Sequence, residues 1–372
     1  MRIEGLKLLH FRSYRELSLT FPKNIIVFFG SNGQGKTNIL EALYMSGLGR
    51  SYRAAADMET ILWGEEAGSI ITAFTCRDVE QEIKIHLVRQ GKKKVMVNDT
   101  AVSQKELLGS LNVVLFSPED LQLVKDSPRV RRRFLDMEIS QVSPVYYKTL
   151  LAYQRAVQQR NLLLKNMRGG AVRRLPEWDE QIAKGAAAIV EKRLESLKKL
   201  NMLAHLMQRR LTDGEESLRL SYEQPYWDAA ADSEADRTDV SWYRKKLEES
   251  WERDIWRATT SVGPHRDDLG FYINDWDLRK YGSQGQQRTA VLALKLSELE
   301  YMRSESGEYP VLLLDDVMSE LDTARRMGLL GFIRDRIQTF ITTALLEPLQ
   351  DMDGALFMEV KKGTVTVREK TN

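Results

Sequence analysis

Apolar residues punctuate the start of the chain with a period of two. Ile3, Leu6, Leu8 and Phe11 stand in a polar background, then Leu17, Leu19 and Phe21 alternate cleanly. That spacing predicts half-buried strands. Pro22-Lys23-Asn24 turns into Ile25-Ile26-Val27-Phe28-Phe29, an unbroken apolar run of the kind found in strands buried on both faces. The period then changes. From Asn38 to Met45 the apolar positions fall at helical intervals. Residues 69–75 and 82–89 read as strands, Gly91-Lys92 turns into Val95-Met96-Val97, and Asn98-Asp99 offers another turn, which together predict an antiparallel meander. Residues 111–116 form a further buried strand, ended by Ser117-Pro118.

From about Glu119 to Arg257 the pattern is mainly helical. Ser127-Pro128 reads as N-cap and first helical residue, and Ser143-Pro144 starts a second helix that runs to Met167, where Gly169-Gly170 stops it. A long amphipathic stretch covers 176–211 and stops at Asp213-Gly214. Residues 218–222 suggest a short strand, 226–238 an acidic loop, and 241–257 a helical segment with Trp242, Trp251 and Trp256 available for packing. Strand signals return with Phe271 and Ile273, a helix follows Gly282-Ser283-Gln284-Gly285, Val311–Asp316 reads as an aliphatic strand ending in two acids, Phe340-Ile341 is another strand core, and 355–367 a closing strand pair. The fold class is α/β with a mixed sheet and an antiparallel meander. The boundaries expected are a head made of 1–120 plus 258–372 and a mainly helical insertion over 121–257.

Composition changes this picture little. The 372 residues carry a net charge of +2, so any nucleic-acid surface must come from local clustering. One cysteine, Cys76, permits no disulfide within the chain. No apolar run approaches the roughly 20 residues of a membrane helix, and the N-terminus does not read as a signal peptide, so a cytoplasmic protein without a membrane partner is expected.

The chemistry concentrates at residues 30–37. Gly30-Ser31-Asn32-Gly33-Gln34-Gly35-Lys36-Thr37 sits between the strand at 25–29 and the helix that Asn38 helps to open, the context a phosphate-binding P-loop needs. Its glycines let successive N–H groups converge on phosphate oxygens, and the helix N-terminus adds partial positive charge. Lys36 would reach the β- and γ-phosphates, and the Thr37 hydroxyl would ligate Mg2+. Val311–Asp316 is four aliphatic residues ending in two acids, and ligands of parallel sheets sit at the carboxyl ends of strands. Asp315 is therefore expected next to the P-loop, either as a partner of Mg2+ or as an acid that acts through the metal's ligands, with Asp316 placed to orient or deprotonate an attacking water. Ser283 and Gly285 open a helix and offer a second anion site. Two such sites for one nucleotide suggest that the second completes the γ-phosphate site of another copy.

The order P-loop, helical insertion, Ser283-Gln284-Gly285-Gln286-Gln287-Arg288, aliphatic-Asp-Asp, then Ser319-Glu320-Leu321-Asp322 resembles the ABC-type ATPase heads of the SMC group. His10-Phe11-Arg12-Ser13-Tyr14, Phe116-Ser117-Pro118-Glu119-Asp120-Leu121, Arg131-Arg132-Arg133-Phe134-Leu135-Asp136 and Gly263-Pro264-His265-Arg266-Asp267-Asp268 narrow the resemblance to the RecF family of bacterial recombination mediators. It covers essentially the whole chain. It implies ATP and Mg2+ as cofactors, with residues 30–38 and Arg12 near the nucleotide, Lys36 and Asp316 catalytic, and Thr37 and Asp315 on the metal. It further implies Ser283 and Gly285 on a partner's γ-phosphate, and Ser319 to Asp322 as the D-loop. The implied function is weak, DNA-stimulated ATP hydrolysis used as a switch. An ATP-dependent homodimer would clamp duplex DNA near single-strand gaps and junctions, acting with RecR and RecO to help RecA load. Two departures stand out. Gln284 replaces a usual signature glycine, and Ile341 is followed by Thr342-Thr343-Ala344 rather than a switch histidine. Ser117 occupies the place of a Q-loop glutamine.

DNA contact is expected from basic clusters, because lysine and arginine neutralise phosphates without reading sequence. Arg50 and Arg53 after the P-loop helix, and Lys92, Lys93 and Lys94 at a hairpin turn, are the first candidates. Arg129 with 131–133, Arg173-Arg174 and Arg209-Arg210 are further clusters, of which 131–133 suit structural ion pairs as well. His265 after Gly263-Pro264 reads as a structural hydrogen-bonding residue. A transporter ATPase, a small-molecule kinase and a long-armed SMC tether are the other classes with a P-loop. The large insertion disfavours the first, the signature and D-loop elements have no role in the second, and the third needs heptad arms this chain lacks.

Overall fold

A computed structural model describes all residues except 168–174, 233–234, 347–348, 350–351, 353 and 369–372. The Gly169-Gly170 helix stop and the Arg173-Arg174 cluster lie outside the described residues. The chain divides into two compact units, Met1–Asp120 with Lys295–Asn372, and Leu121–Leu294.

The first unit holds two six-stranded sheets. One is built around the apolar strand Ile25–Phe29, with Thr339–Thr343 and Ala355–Lys361 as parallel neighbours. Val311–Asp315 and Val113–Phe116 extend it in parallel, and Thr364–Val367 closes the other edge antiparallel. Val311–Asp315 and Thr339–Thr343 are buried at every position, which explains their lack of polar alternation. Phe21 packs edge-on against Phe340 at 4.9 Å in the core beside this sheet. The second sheet is the expected antiparallel meander, enlarged by the first two strands of the chain, in the order Tyr14–Thr20, Arg2–Phe11, Ala67–Cys76, Val79–Val88, Lys94–Val97, Thr100–Val102. Its buried positions alternate, as in Ile83, Ile85 and Leu87.

The second unit is mainly helical. Pro128–Val142, Pro144–Met167 and Pro176–Leu211 each begin at a proline, whose missing N–H costs nothing in a first helical turn. The segment expected as one helix at 241–257 is two, Val240–Glu249 and Trp251–Arg257. Trp242 and Trp251 are buried as anticipated, whereas Trp256 is exposed.

One boundary differs from the sequence expectation. The sequence pattern places residues 258–294 in the head, yet they pack in the second unit. The cause is strand pairing. Asp268–Ile273 joins Leu218–Glu223 antiparallel and Trp276–Asp277 on its other side, so the return to strand pattern near residue 268 builds a sheet of the inserted unit. The helix Gln284–Ser306 contributes residues to both units.

Candidate nucleotide site

The sheet register assembles the site. Phe29 lies opposite Thr343, and Asp315 opposite Thr342, so the loop after Phe29, the two threonines and Asp315-Asp316 share one carboxyl edge. Gly30 has φ 141°, and a Cβ there would meet the Val360 carbonyl oxygen at 2.4 Å. Gly35 has φ 113°, and its Cβ would meet the Tyr14 hydroxyl at 2.8 Å. Both positions therefore require glycine, for backbone angle and for space. Gly35 caps the helix Lys36–Leu48 without any side-chain hydrogen bond, and Ser31, Asn32 and Gly33 are exposed above it. The first N–H groups of the helix are thus uncapped by side chains, which suits a phosphate group.

Lys36 curls back over the loop, its Nζ donating to the carbonyls of Gly30 at 2.6 Å and Ser31 at 2.9 Å. Burial pushes its pKa down, and the Asp316 and Asp315 carboxylates oppose that shift. Asp315 is a buried carboxylate that collects three hydroxyls. Thr37 Oγ1 and Thr342 Oγ1 donate to Oδ1 at 2.9 and 2.8 Å, and the Tyr52 hydroxyl donates to Oδ2 at 2.8 Å. Asp316 stands in the left-handed region at φ 55°, with its N–H donating to Thr342 Oγ1 at 3.0 Å. Its Oδ1 is buried and accepts no hydrogen bond among the described residues. Burial raises the Asp316 pKa, while Lys36 pulls it down.

These groups fit Mg2+ and a nucleoside triphosphate. Thr37 and Asp315 are hard oxygen donors, and among the described residues no set of three or more acids, histidines or cysteines gathers to hold a metal by itself. Mg2+ with few protein ligands takes its remaining coordination from phosphates and water. The orphaned Asp316 Oδ1 is a natural acceptor for such a water.

Three loop-adjacent candidates are turned to other work. The Asn38 amide donates to Ser13 Oγ at 3.0 Å, and Gln34 Oε1 accepts from the Lys362 N–H at 2.7 Å. Arg12 forks onto the fully buried Glu41 at 2.7 and 2.5 Å, and its Nη1 donates to the Glu59 carbonyl at 2.9 Å. All three guanidinium nitrogens are engaged, so Arg12 in this structure braces the start of the head rather than facing open solvent.

The second unit shows Ser283 as the N-cap of Gln284–Ser306. Its N–H donates to Gln286 Oε1 at 2.9 Å, and the Gln286 N–H donates back to Ser283 Oγ at 3.2 Å. This capping box leaves Ser283 and Gln284 exposed at the helix N-terminus, with Gly285 beside them. In the first unit Ser319 Oγ donates to the Asp316 carbonyl at 2.8 Å, and Asp322 caps Thr323–Ile333.

A family model described as the RecF/RecN/SMC N terminal domain matches residues 2–366. The "DNA replication and repair protein RecF" of Halothermothrix orenii is 44% identical over 372 residues, covering 98% of this chain and 99% of that protein. The chain belongs to the RecF family. The protein of the same name from Alkaliphilus oremlandii is also 44% identical, over 98% of this chain and 100% of its own length. Among solved structures, that of "the recombination mediator protein RecF-ATP in RecFOR pathway" superposes with a TM-score of 0.91 at 33% identity, covering 99% of this chain and 98% of the other. An Smc head bound to the C-winged helix domain of ScpA matches at TM-score 0.59 and 16% identity, a likeness of fold.

In this RecF-family chain the basic clusters do not behave alike. Lys92, Lys94 and Arg53 are exposed, and Arg50 is half-buried. Lys93 is turned inward, donating to the Gly49 carbonyl and pairing with Asp57 at 2.7 Å. Arg131 is buried in a bidentate pair with Asp268 at 2.7 and 2.8 Å, and Arg132 donates to the Asp267 carbonyl at 2.5 Å. His265 bridges the Tyr153 hydroxyl at 2.6 Å and the Thr260 carbonyl at 3.0 Å, the structural place its sequence context suggested. Sequence pattern passed over Tyr52 altogether, since a hydroxyl that reaches a residue 263 positions away leaves no periodic trace.

Proposed function

We propose that this chain is an ATP-dependent DNA-binding protein of replication and recombinational repair. Two copies close on two ATP molecules with Mg2+, each P-loop completed by Ser283 and Gly285 of the other copy. The closed dimer clamps duplex DNA near single-strand gaps and junctions in the cytoplasm, and acts with RecO and RecR to help RecA load. Weak, DNA-stimulated hydrolysis reopens it, with Lys36 stabilising the transferred phosphoryl group, Thr37 and Asp315 holding Mg2+, and Asp316 orienting the water. ATP drives closure only as far as it binds the closed state better.

The observation that carries this reading is the meeting of Thr37 with Asp315 beside a helix N-terminus that no side chain caps. The family match and the likeness to a RecF-ATP structure support it. Sedimentation with and without ATP, repeated on gapped and intact duplex DNA, is the test. The wild type is expected to dimerise with ATP and to favour gapped DNA. Ser283→Arg is expected to bind ATP as a monomer and stay monomeric. Normal ATP-dependent dimerisation of Ser283→Arg would remove the composite site from the proposal.

A further inference from the structure

Tyr52 lies outside every motif that points to the nucleotide, yet its hydroxyl reaches Asp315 Oδ2 at 2.8 Å. Thr37 and Thr342 occupy the other oxygen, Oδ1. The two carboxylate oxygens are therefore held by different parts of the chain, and Tyr52 alone among these three donors comes from outside the sheet edge and the P-loop.

Its approach is fixed by the segment it belongs to. After Gly49 the chain folds back along the helix Lys36–Leu48. Ser51 Oγ donates to Glu41, the Tyr52 ring packs edge-on against Tyr44 at 5.1 Å, and Arg53 Nη1 lies 3.5 Å from Asn38 Oδ1. Ser51 Oγ also accepts the N–H groups of Arg53 and Ala54 at 2.9 and 2.8 Å, which locks the turn. Glu41 is in turn clasped by Arg12, and Lys93 ties Gly49 to Asp57 at the start of the segment. A hydroxyl anchored this way is preorganised. It restricts the carboxylate's rotation.

We propose that Tyr52 is a positioning residue of the metal site. Its hydroxyl holds Asp315 in the orientation that lets Thr37 and Asp315 serve one Mg2+ ion, and so links metal binding to the arginine-bearing segment 50–53. Partners that orient a metal-bound carboxylate typically contribute ten- to a hundredfold in metal affinity or activity, on the order expected here. The inference rests on the reading of Thr37 and Asp315 as the metal's donors.

The experiment is binding of a fluorescent ATP analogue to the full chain, titrated with Mg2+, for wild type and Tyr52→Phe. The substitution removes one oxygen and keeps the ring against Tyr44. Without Mg2+ the two proteins are expected to bind the analogue alike. The Mg2+ concentration for half-saturation is expected to rise about tenfold in Tyr52→Phe. Ser51→Ala, which leaves the hydroxyl but frees its turn, is expected to shift it in the same direction by a smaller factor, and keeps the test open should Tyr52→Phe fold poorly. Equal Mg2+ dependence in wild type and both variants overturns the proposal while leaving the metal reading intact. A wild type whose analogue binding ignores Mg2+ overturns the reading of Thr37 and Asp315, and the proposal with it.

Discussion

Thr37 Oγ1 donates to Asp315 Oδ1 at 2.9 Å across 278 positions of sequence. The first residue is the end of the P-loop and the second the end of the aliphatic strand. Their contact turns two separate sequence patterns into one candidate metal site. Asp315→Asn keeps an acceptor for Thr37 but removes the charge a divalent cation needs. Its Mg2+-dependent ATP hydrolysis is expected to fall at least tenfold, with the melting temperature little changed. Hydrolysis within twofold of wild type would show that Asp315 does not serve the metal.

The three lysines of the hairpin at 92–94 should separate by experiment. Lys93 is bonded to the Gly49 carbonyl at the end of the P-loop helix and to Asp57. Lys93→Ala is expected to cost about 0.5–1 kcal/mol of stability, as for a partly exposed ion pair, and to leave the salt dependence of DNA binding unchanged. Lys92 and Lys94 are exposed. Alanine at either is expected to lower the slope of log affinity against log salt by about 1, with stability unchanged. A Lys93→Ala slope that falls as much as theirs would contradict the assignment.

His265 should remain neutral through the physiological range. Burial is the main cause that lowers its pKa to about 4, and its Nε2–H donates to the Thr260 carbonyl while Nδ1 accepts from Tyr153. Since the unfolded chain takes up this proton near pH 6.5, the residue contributes stability that is present above that pH and lost as pH falls towards 4. Asp267 acts in the opposite sense. Burial raises its pKa to about 6, so the folded state binds its proton first and gains stability as pH falls from about 6 towards 3.8. The two effects offset one another in the wild type, and a direct probe is needed. The chain has four histidines, so selective labelling can follow each by NMR. The His265 signal is expected to hold its neutral position down to about pH 5, and a normal titration near 6.5 would refute the buried assignment.

Local pattern carried much of the architecture. Proline positions set the starts of Pro144–Met167 and Pro176–Leu211, and unbroken apolar runs marked Ile25–Phe29 and Val311–Asp315. These features are written within a few residues of where they act, because helix entry, glycine turns and two-sided burial are short-range requirements. The glycines of the P-loop are legible for the same reason. Their constraint is a backbone angle and a nearby atom.

Tertiary structure alone decided what depends on partners far along the chain. Residues 268–273 look like any half-buried strand, and only pairing with Leu218–Glu223 assigns them to the inserted unit. Lys93 resembles its neighbours in charge, but the carbonyl and carboxylate that claim it come from residues 49 and 57. Arg12 is one of several arginines until Glu41 is buried beside it. Tyr52 acquires its place on Asp315 because a sheet edge and a folded-back turn bring the two together. Composition and periodicity record which surfaces must be buried. They do not record which distant hydroxyl, carboxylate or carbonyl will satisfy a polar group once burial has occurred, and that choice is made by packing.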